Sequence, residues 1–590
     1  MKRKIVPSYF TDSLVFSMSI TALIALILDF GYSINFWMHL ITDFFYCLFG
    51  VVSTVALFNQ FPGIDRLKSK AKGFYLAFFL SVILTILAFS NTIYFLAFQT
   101  TKLNIYTAGL VFIISMFDLS GRLYKLNSQT LHPALVFALS FVILICIGTL
   151  LLMSPKATVD GIAFIDALFT STSAVCVTGL AVLDTGKDFT MLGQVTILGL
   201  IQFGALGMLS FTTLFALFFK GFGSFETRLN LKDMINADSL GGTFSRLIQI
   251  VIFVLIIEAA GALLIFFSLE QGYGTFNEKV FFSIFHSISA FCNAGFSTLS
   301  NSLYEEGFRY NYSLHMTIAL LIVFGGLGYG VVLNLLIYVK KFFIYFTSRL
   351  FNIEWGPYSQ KLKPNVSLNS KIVIYTTLIL IGFGSLFFYL LEYENSLRGH
   401  SALGKFITSV FGSITTRTAG FNTVDTGNLH LSTIMMFLLL MWIGASPGST
   451  GGGIKTTTFA VATFNIIQQV FGFKNIIFGY RKIAQKALQR ATAIISLSLI
   501  TIGLCMFFLL YFDEHLGVME IAFESFSAFS TVGLSMGITA KFSDASKFIL
   551  IITMFVGRVS LLTLLTGFVR QIYAYRYAPI DYPEEEIFIN

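Results

Sequence analysis

The sequence predicts an all-α integral membrane protein. Four pseudo-repeated units, each a helix, a re-entrant loop and a second helix, are expected around one axis, preceded by about four extra N-terminal transmembrane helices. Three observations predict this. Of 590 residues, 56% are hydrophobic and 12% charged, against about 25% charged in a soluble domain. Apolar runs recur along the chain, many near the ~20 residues that cross a bilayer as a helix. Between the later runs lie four short Ser/Thr/Gly-rich stretches that copy one another.

The apolar runs fall at 13–30, 36–58, 73–98, 104–118, 134–153, 190–219, 246–269, 313–339, 371–391, 431–468, 491–512 and 547–570. The first resembles a signal peptide in length. No small-residue cleavage site follows it and apolar sequence resumes at Phe36, so a retained helix is expected. Residues 1–131 hold extra helices without a filter-like loop, expected as a peripheral scaffold or dimer contact. The first unit then occupies 132–232, the second 233–345, the third 346–490 and the fourth 491–590 with a short cytoplasmic tail. The tail after Arg570 is about 20 residues, below the size of a domain, so a regulatory domain is expected on a separate chain.

Basic residues alternate along the runs. Lys2, Arg3 and Lys4, then Arg66 to Lys72, Arg122 and Lys125, Lys220 and Lys232, Lys340 to Lys371, and Arg481 to Arg490 fall on one side. Glu270, Glu305, Glu306, Glu392, Glu394, Asp513 and Glu514 fall on the other. The positive-inside rule then puts both termini in the cytoplasm and the short stretches outside. The net charge of +8 is spread between spans rather than gathered on a soluble face, which argues against nucleic acid. Five cysteines (Cys47, Cys146, Cys176, Cys292, Cys505) show no CxxC spacing, so neither a disulfide framework nor a zinc site is indicated.

The first short stretch reads Phe169-Thr-Ser171-Thr-Ser173-Ala-Val-Cys-Val177-Thr178-Gly179-Leu180. The second runs from Phe285 through Ser287 and Ser289 to Asn293-Ala294-Gly295-Phe296, and the fourth from Phe523 through Ser525 and Ser527 to Thr531-Val532-Gly533-Leu534. The third, Val410-Phe-Gly412-Ser-Ile414-Thr-Thr-Arg417-Thr418-Ala419-Gly420-Phe421, reads as having lost both serines. The glycines recur 116, 125 and 113 residues apart; internal repetition of this kind marks one architectural unit used several times. Glycines that merely pack helices need no matching loops around them. Non-helical backbone survives at membrane depth only inside protein or along a water-filled path. A bare cation there costs tens of kcal/mol unless its hydration shell is replaced, and rings of backbone carbonyls, one loop per unit, provide that replacement. Glycine supplies the positive φ such a backbone uses.

The tenth apolar run is interrupted by Gly444-Ala-Ser446-Pro447-Gly448-Ser-Thr-Gly451-Gly452-Gly453-Ile-Lys455, residues that break a helix. Ile454 separates Gly453 from Lys455 and no soluble strand precedes, so the phosphate-binding GxxxxGK[ST] pattern fails. Arg558 lies within an apolar run, where charges are rare and often functional. Glu258 is expected in a satisfied interhelical hydrogen bond. His286 and Glu524 are expected in structural or external-vestibule roles.

V-C-V-T-G-L, C-N-A-G-F, T-R-T-A-G-F and S-T-V-G-L carry a resemblance covering roughly residues 132–570 to the Trk/Ktr/HKT superfamily of cation transporters, and within it to TrkH/KtrB-type potassium transporter subunits. The resemblance implies a central pore with K+ held by the carbonyls of Val177, Thr178, Gly179, Asn293, Ala294, Gly295, Thr418, Ala419, Gly420, Thr531, Val532 and Gly533. Plant members with Na+ preference carry Ser at the first filter glycine; Gly179 there implies K+. It also implies a gating loop formed by Gly444, Ser446, Pro447, Gly448, Gly451, Gly452, Gly453 and Lys455, with Arg558 beside it donating to freed carbonyls and Arg417 bracing the filter. Further implications are a homodimer in the bacterial inner membrane and a cytosolic nucleotide-binding ring of the TrkA/KtrA type as partner. The chain itself is expected to need no cofactor and to be no enzyme, with K+ as cargo and Na+ as modulator. The alternative within transport is a Na+-permeable or Na+/K+ symporting member. An intramembrane enzyme using Lys455, Arg558 and His286 would gather those residues at a lipid-accessible pocket. A sensory protein that kept the fold would fail to rescue K+ uptake.

Overall fold

The computed structural model describes residues 8–32, 36–59, 72–98, 107, 110–111, 114–115, 133–207, 243–269, 274–350, 366–473, 476–478 and 481–573. Most of the expected run at 104–118 lies outside the described residues. So do Lys2, Arg3, Lys4, Arg66, Lys68, Lys70, Arg122, Lys125, Lys220, Lys232, Lys361, Lys363, Glu270 and the tail from residue 574.

Helices α1 (Ser8–Gly31), α2 (Phe36–Asn59) and α3 (Lys72–Phe98) pack around Phe49, Leu84 and Ala88. They meet the rest of the chain where Lys156 N–H donates to the Gly31 carbonyl at 3.1 Å. The first unit is α4 (Pro133–Leu152), α5 (Phe164–Val175) and α6 (Met191–Gly207). The second is α7 (Thr243–Ser268), α8 (Phe276–Cys292) and α9 (Tyr312–Leu327), continued by α10 (Tyr329–Leu350). The third is α11 (Leu368–Leu391), α12 (Ala402–Thr415), α13 (Leu431–Trp442) and α14 (Thr456–Phe471), followed by a two-stranded antiparallel hairpin of Ile477–Phe478 and Arg481–Lys482. The fourth is α15 (Gln485–Phe512), α16 (Val518–Ser530) and α17 (Asp544–Val559), continued by α18 (Leu561–Tyr573). The expected boundaries at 345 and 490 therefore fall inside α10 and α15, not between helices.

The four short helices α5, α8, α12 and α16 are the elements expected to be re-entrant. Two of them start with side-chain caps: Thr275 and Glu278 form a reciprocal capping box at α8, and Ser401 Oγ accepts from Gly404 N–H at α12; Ala163 and Gly517, before α5 and α16, give no side-chain cap. Phe169, Phe285, Phe411 and Phe523 are all buried, as an enclosed helix requires.

Among the described residues, four helices are long and apolar enough to cross a membrane, or up to six if each bent pair is one span, and apolar stretches of 10–17 residues lie in six further helices. About a dozen uninterrupted spans were expected. Part of the expectation falls on residues outside the described ones, and in units two and four the second helix breaks beside the loops. The chain turns through 103° between α9 and α10 and 79° between α17 and α18, at Gly328 (φ 78°) and Ser560 (φ 72°).

Outside the spans, Glu392 ties the end of α11 to the start of α13. Its carboxylate accepts from His430 N–H at 2.9 Å and Thr433 Oγ1 at 2.6 Å. Burial works to raise its pKa, but the hydrogen bonds from Thr433, His430, Ser396 and Asn395 overcome that and the net shift is downward. A depressed carboxylate contributes stability above its unfolded pKa and loses it as pH falls through the folded value. Thermal stability of the detergent-solubilised protein is expected to drop on acidification below the ordinary glutamate range, and Glu392→Gln to flatten that part of the profile. An unchanged profile in Glu392→Gln would remove this contact from the stability argument.

Candidate functional site

The short helices lead into four loops with one backbone conformation. Val177, Asn293, Thr418 and Thr531 all have positive φ (57°, 61°, 70° and 50°), and Gly179, Gly295, Gly420 and Gly533 follow at 90°, 71°, 80° and 91°. Four of the six non-glycine residues with positive φ among the described residues are these four. β-branched Val and Thr adopt this region at a real cost, so the surrounding packing must impose it.

The loops meet in a ring. A side-chain carbon on Gly179 would sit within 3.0 Å of the Ala294 carbonyl oxygen, and one on Gly295 would meet that of Ala419. On Gly420 it would meet that of Val532, and on Gly533 that of Thr178. The sequence of contacts runs from unit one through two, three and four and returns to one. At each step any side chain forces the neighbouring backbone to shift, and glycine alone fits without displacement. Each loop follows directly on the C-terminus of a short helix, the end whose dipole favours a cation. All twelve loop residues expected to line the pathway belong to this ring or adjoin it.

Hydroxyls brace the ring from behind. Ser173 Oγ donates to the Leu180 carbonyl at 2.7 Å and accepts from Gly179 N–H at 3.1 Å. Ser289 donates to Phe296 O at 2.7 Å, and Ser527 accepts from Gly533 N–H at 3.1 Å. The third unit has the same device, which corrects the expectation that it lost its serines. Thr415 Oγ1 donates to Phe421 O at 2.6 Å, and Ser413 Oγ bonds the Ile381 carbonyl of the preceding helix at 3.0 Å. Ser171 and Ser287 do likewise to Ile145 O and Glu258 O. The motif Phe-x-Ser-x-Ser/Thr is intact at Phe411, Ser413 and Thr415, with one residue fewer before the glycine. Counting backward from Gly420 hid it; counting forward from the phenylalanine finds it.

Three further glycines escaped sequence reasoning. Side-chain carbons on Gly204, Gly325 and Gly557 would collide with the carbonyls of Val175, Phe291 and Phe529, which end the short helices of units one, two and four. The signal was a glycine at roughly one spacing after each loop. In the third unit the corresponding position is Thr416, and the next residue, Arg417, donates from Nη2 to the Gly444 carbonyl at 3.4 Å. It holds the interrupted segment as well as flanking Thr418. An unforeseen ion pair closes the outer seam between units four and one, Lys547 Nζ to Asp166 Oδ1 at 2.6 Å.

The segment 443–455 packs against the loops. A side-chain carbon on Gly451 would strike Thr418 Oγ1, and one on Gly452 would strike Thr531 Oγ1. Its ends are held together by a parallel bridge between Ile443 and Ile454. Its amides find partners outside: Ser446 N–H donates to Gly326 O at 3.0 Å and Thr450 N–H to Gly325 O at 3.4 Å, while Gly448 O accepts from Tyr329 N–H at 3.3 Å. Ser446 Oγ bonds the Leu327 carbonyl. Its freed carbonyls take cationic donors: Lys455 Nζ reaches Gly451 O at 2.7 Å, and Arg558 reaches both Thr450 O and Gly204 O. Lys455 therefore turns back on its own loop rather than snorkelling to an interface. Pro447 and Gly453 (φ 66°) lie in the same segment. Lys455 and Arg558 serve the segment, while His286 bonds Ser297 on the far side of the loops; the convergence that an intramembrane enzyme would need is absent from this arrangement. Glu258 is satisfied as expected, by Gln202 Nε2 at 3.1 Å.

A ring of four such loops decides which known proteins are informative. The model of the TrkH family, described as "Cation transport protein", matches residues 104–573. The chain belongs to the TrkH family. Ktr system potassium uptake protein B of Bacillus subtilis is 36% identical over 458 residues, covering 77% of this chain and 96% of that protein. Potassium/sodium uptake protein NtpJ of Enterococcus hirae is 34% identical over 476 residues, covering 78% and 98%. The fold matches the crystal structure of the potassium transporter TrkH from Vibrio parahaemolyticus with TM-score 0.56 at 18% identity, over 89% of this chain and 97% of that one. As a member of the TrkH family the chain is a multi-pass membrane transport protein and not an enzyme.

Proposed function

We propose that this TrkH-family chain takes up K+ across the bacterial inner membrane through a filter of backbone carbonyls, gated by the loop Gly444–Lys455. The closed cycle of glycine-to-carbonyl contacts is the observation that carries the reading. It supports a site formed by residues 177–179, 293–295, 418–420 and 531–533 in which one dehydrated ion meets carbonyls of all four units. Thr178 Oγ1 and Thr531 Oγ1 are buried without a hydrogen-bond partner among the described residues, polar atoms that an ion or its water would engage. The Gly451–Gly452 contact with Thr418 and Thr531 supports a barrier directly against the filter, and Lys455 and Arg558 add positive charge that repels K+ until the loop moves. The basic connectors support cytoplasmic termini. A homodimer and a separate nucleotide-binding regulatory chain complete the proposal, the latter supported by relatives named as parts of a Ktr system.

The similarity to NtpJ, whose name includes sodium, favours one second reading, a Na+-permeable or Na+/K+ symporting member. Ion-replacement flux in proteoliposomes separates them. Wild type is expected to pass K+ in preference to Na+. Gly179→Ser adds a side chain at φ 90° against the Ala294 carbonyl, and is expected to lower the K+/Na+ ratio about tenfold, equivalent to ~1.4 kcal/mol. An unchanged ratio in correctly folded Gly179→Ser would remove residues 177–179 from the selectivity filter.

A further inference from the structure

Behind the ring, units two and four carry a second, matched pair of contacts that units one and three lack. In unit four, Glu524 of α16 is fully buried and accepts from Ser535 Oγ at 2.5 Å and from Thr539 Oγ1 at 3.2 Å. In unit two, His286 of α8 is also fully buried. Its Nδ1 lies 2.9 Å from the Phe282 carbonyl, which can only accept, so Nδ1 carries the proton and neutral Nε2 accepts from Ser297 Oγ at 2.8 Å. Glu524 and His286 each precede the first serine of the repeat, and Ser535 and Ser297 each follow the filter glycine by two residues. The corresponding positions are Thr170 and Ala181 in unit one, and Gly412 and Asn422 in unit three; neither pair offers the same bond. The cyclic order of the loops puts units two and four opposite each other.

We propose that Glu524, through Ser535, is a positioning residue for ion selection, with His286 and Ser297 as its counterpart across the ring. The short helix is rigid and enclosed, so a side chain anchored on it fixes where the strand leaving Gly533 can go. Ser535 passes that constraint on: its carbonyl accepts from Thr426 Oγ1 of the third unit, so one carboxylate sets the outer mouth of two adjacent loops. The hydrogen-bond geometry, not the charge, does this work. Glutamine presents an acceptor to Ser535 and an amide that can donate to the Thr539 hydroxyl; alanine presents neither.

This rests on the filter reading above, and the full chain in proteoliposomes tests both with K+ and Na+ flux. Glu524→Ala is expected to lower the K+/Na+ ratio about tenfold and raise the KM for K+. Glu524→Gln is expected to stay within about twofold of wild type. Ser535→Ala, with the glutamate intact, is expected to lower the ratio in the same direction, and it decides the matter alone if Glu524→Ala does not fold. A ratio unchanged in Glu524→Ala or Ser535→Ala overturns the proposal, as does a Glu524→Gln as impaired as Glu524→Ala. If Gly179→Ser changes selectivity and the Glu524 variants do not, the brace alone fails; if none of them does, the filter reading fails with it.

Discussion

Replacing Arg558 by leucine is expected to raise K+ flux about tenfold in proteoliposomes that contain no regulatory chain. The guanidinium sits on α17 of the fourth unit but donates to Thr450 O in the third and Gly204 O in the first. It therefore pins the loop between two other units. A hydrogen bond with one charged partner contributes ~1.5–3 kcal/mol, and losing the tether releases the loop. Losing the charge acts in the same direction, since one fewer cation beside the path lowers the barrier to K+. Arg558→Lys keeps the charge but lacks the fork that reaches two carbonyls, so its flux is expected between wild type and leucine. Flux that stays at the wild-type level in a folded leucine variant would exclude Arg558 from the gate.

Gly557→Val is expected to destabilise the protein by about 3 kcal/mol, the upper part of the range for overpacking. A side-chain carbon there would overlap the Phe529 carbonyl and come 3.2 Å from its Cα, and neither atom can rotate away. Relief requires α17 to leave α16, whose last turn leads into Thr531 and Val532. Gly503→Ala is the control: it also lies in a helix of the fourth unit, is exposed and has nothing within 4 Å of the added carbon. Thermal unfolding in detergent measures both. Equal melting temperatures for the two variants would refute the close-approach argument.

The sequence was most legible where chemistry repeats. Three copies of Phe-x-Ser-x-Ser ending in glycine located the loops to the residue, and helix-breaking residues located the segment 444–455. Seams between units were not legible, because Asp166 and Lys547 are 381 positions apart and neither belongs to a motif. The third copy was misaligned because one deleted residue shifts every hydroxyl when the count starts from the wrong end. Helix length misled as well. Apolar runs such as 313–339 read as single spans, yet Gly328 turns the backbone within one; hydropathy registers which residues tolerate lipid and is blind to the direction of the chain. Arg417 was foreseen as a support for the filter, but its bond to Gly444 O could not be, since that partner is defined only once the interrupted span folds back.

The interrupted segment 443–455 belongs to one quarter of the assembly alone. In a tetramer of identical subunits, four copies of any such element would have to withdraw, and opening would depend on their agreement. Under the gating proposed above, the covalent linkage of unlike quarters puts the barrier in one segment, so the conductance of each pore is expected to switch in one step.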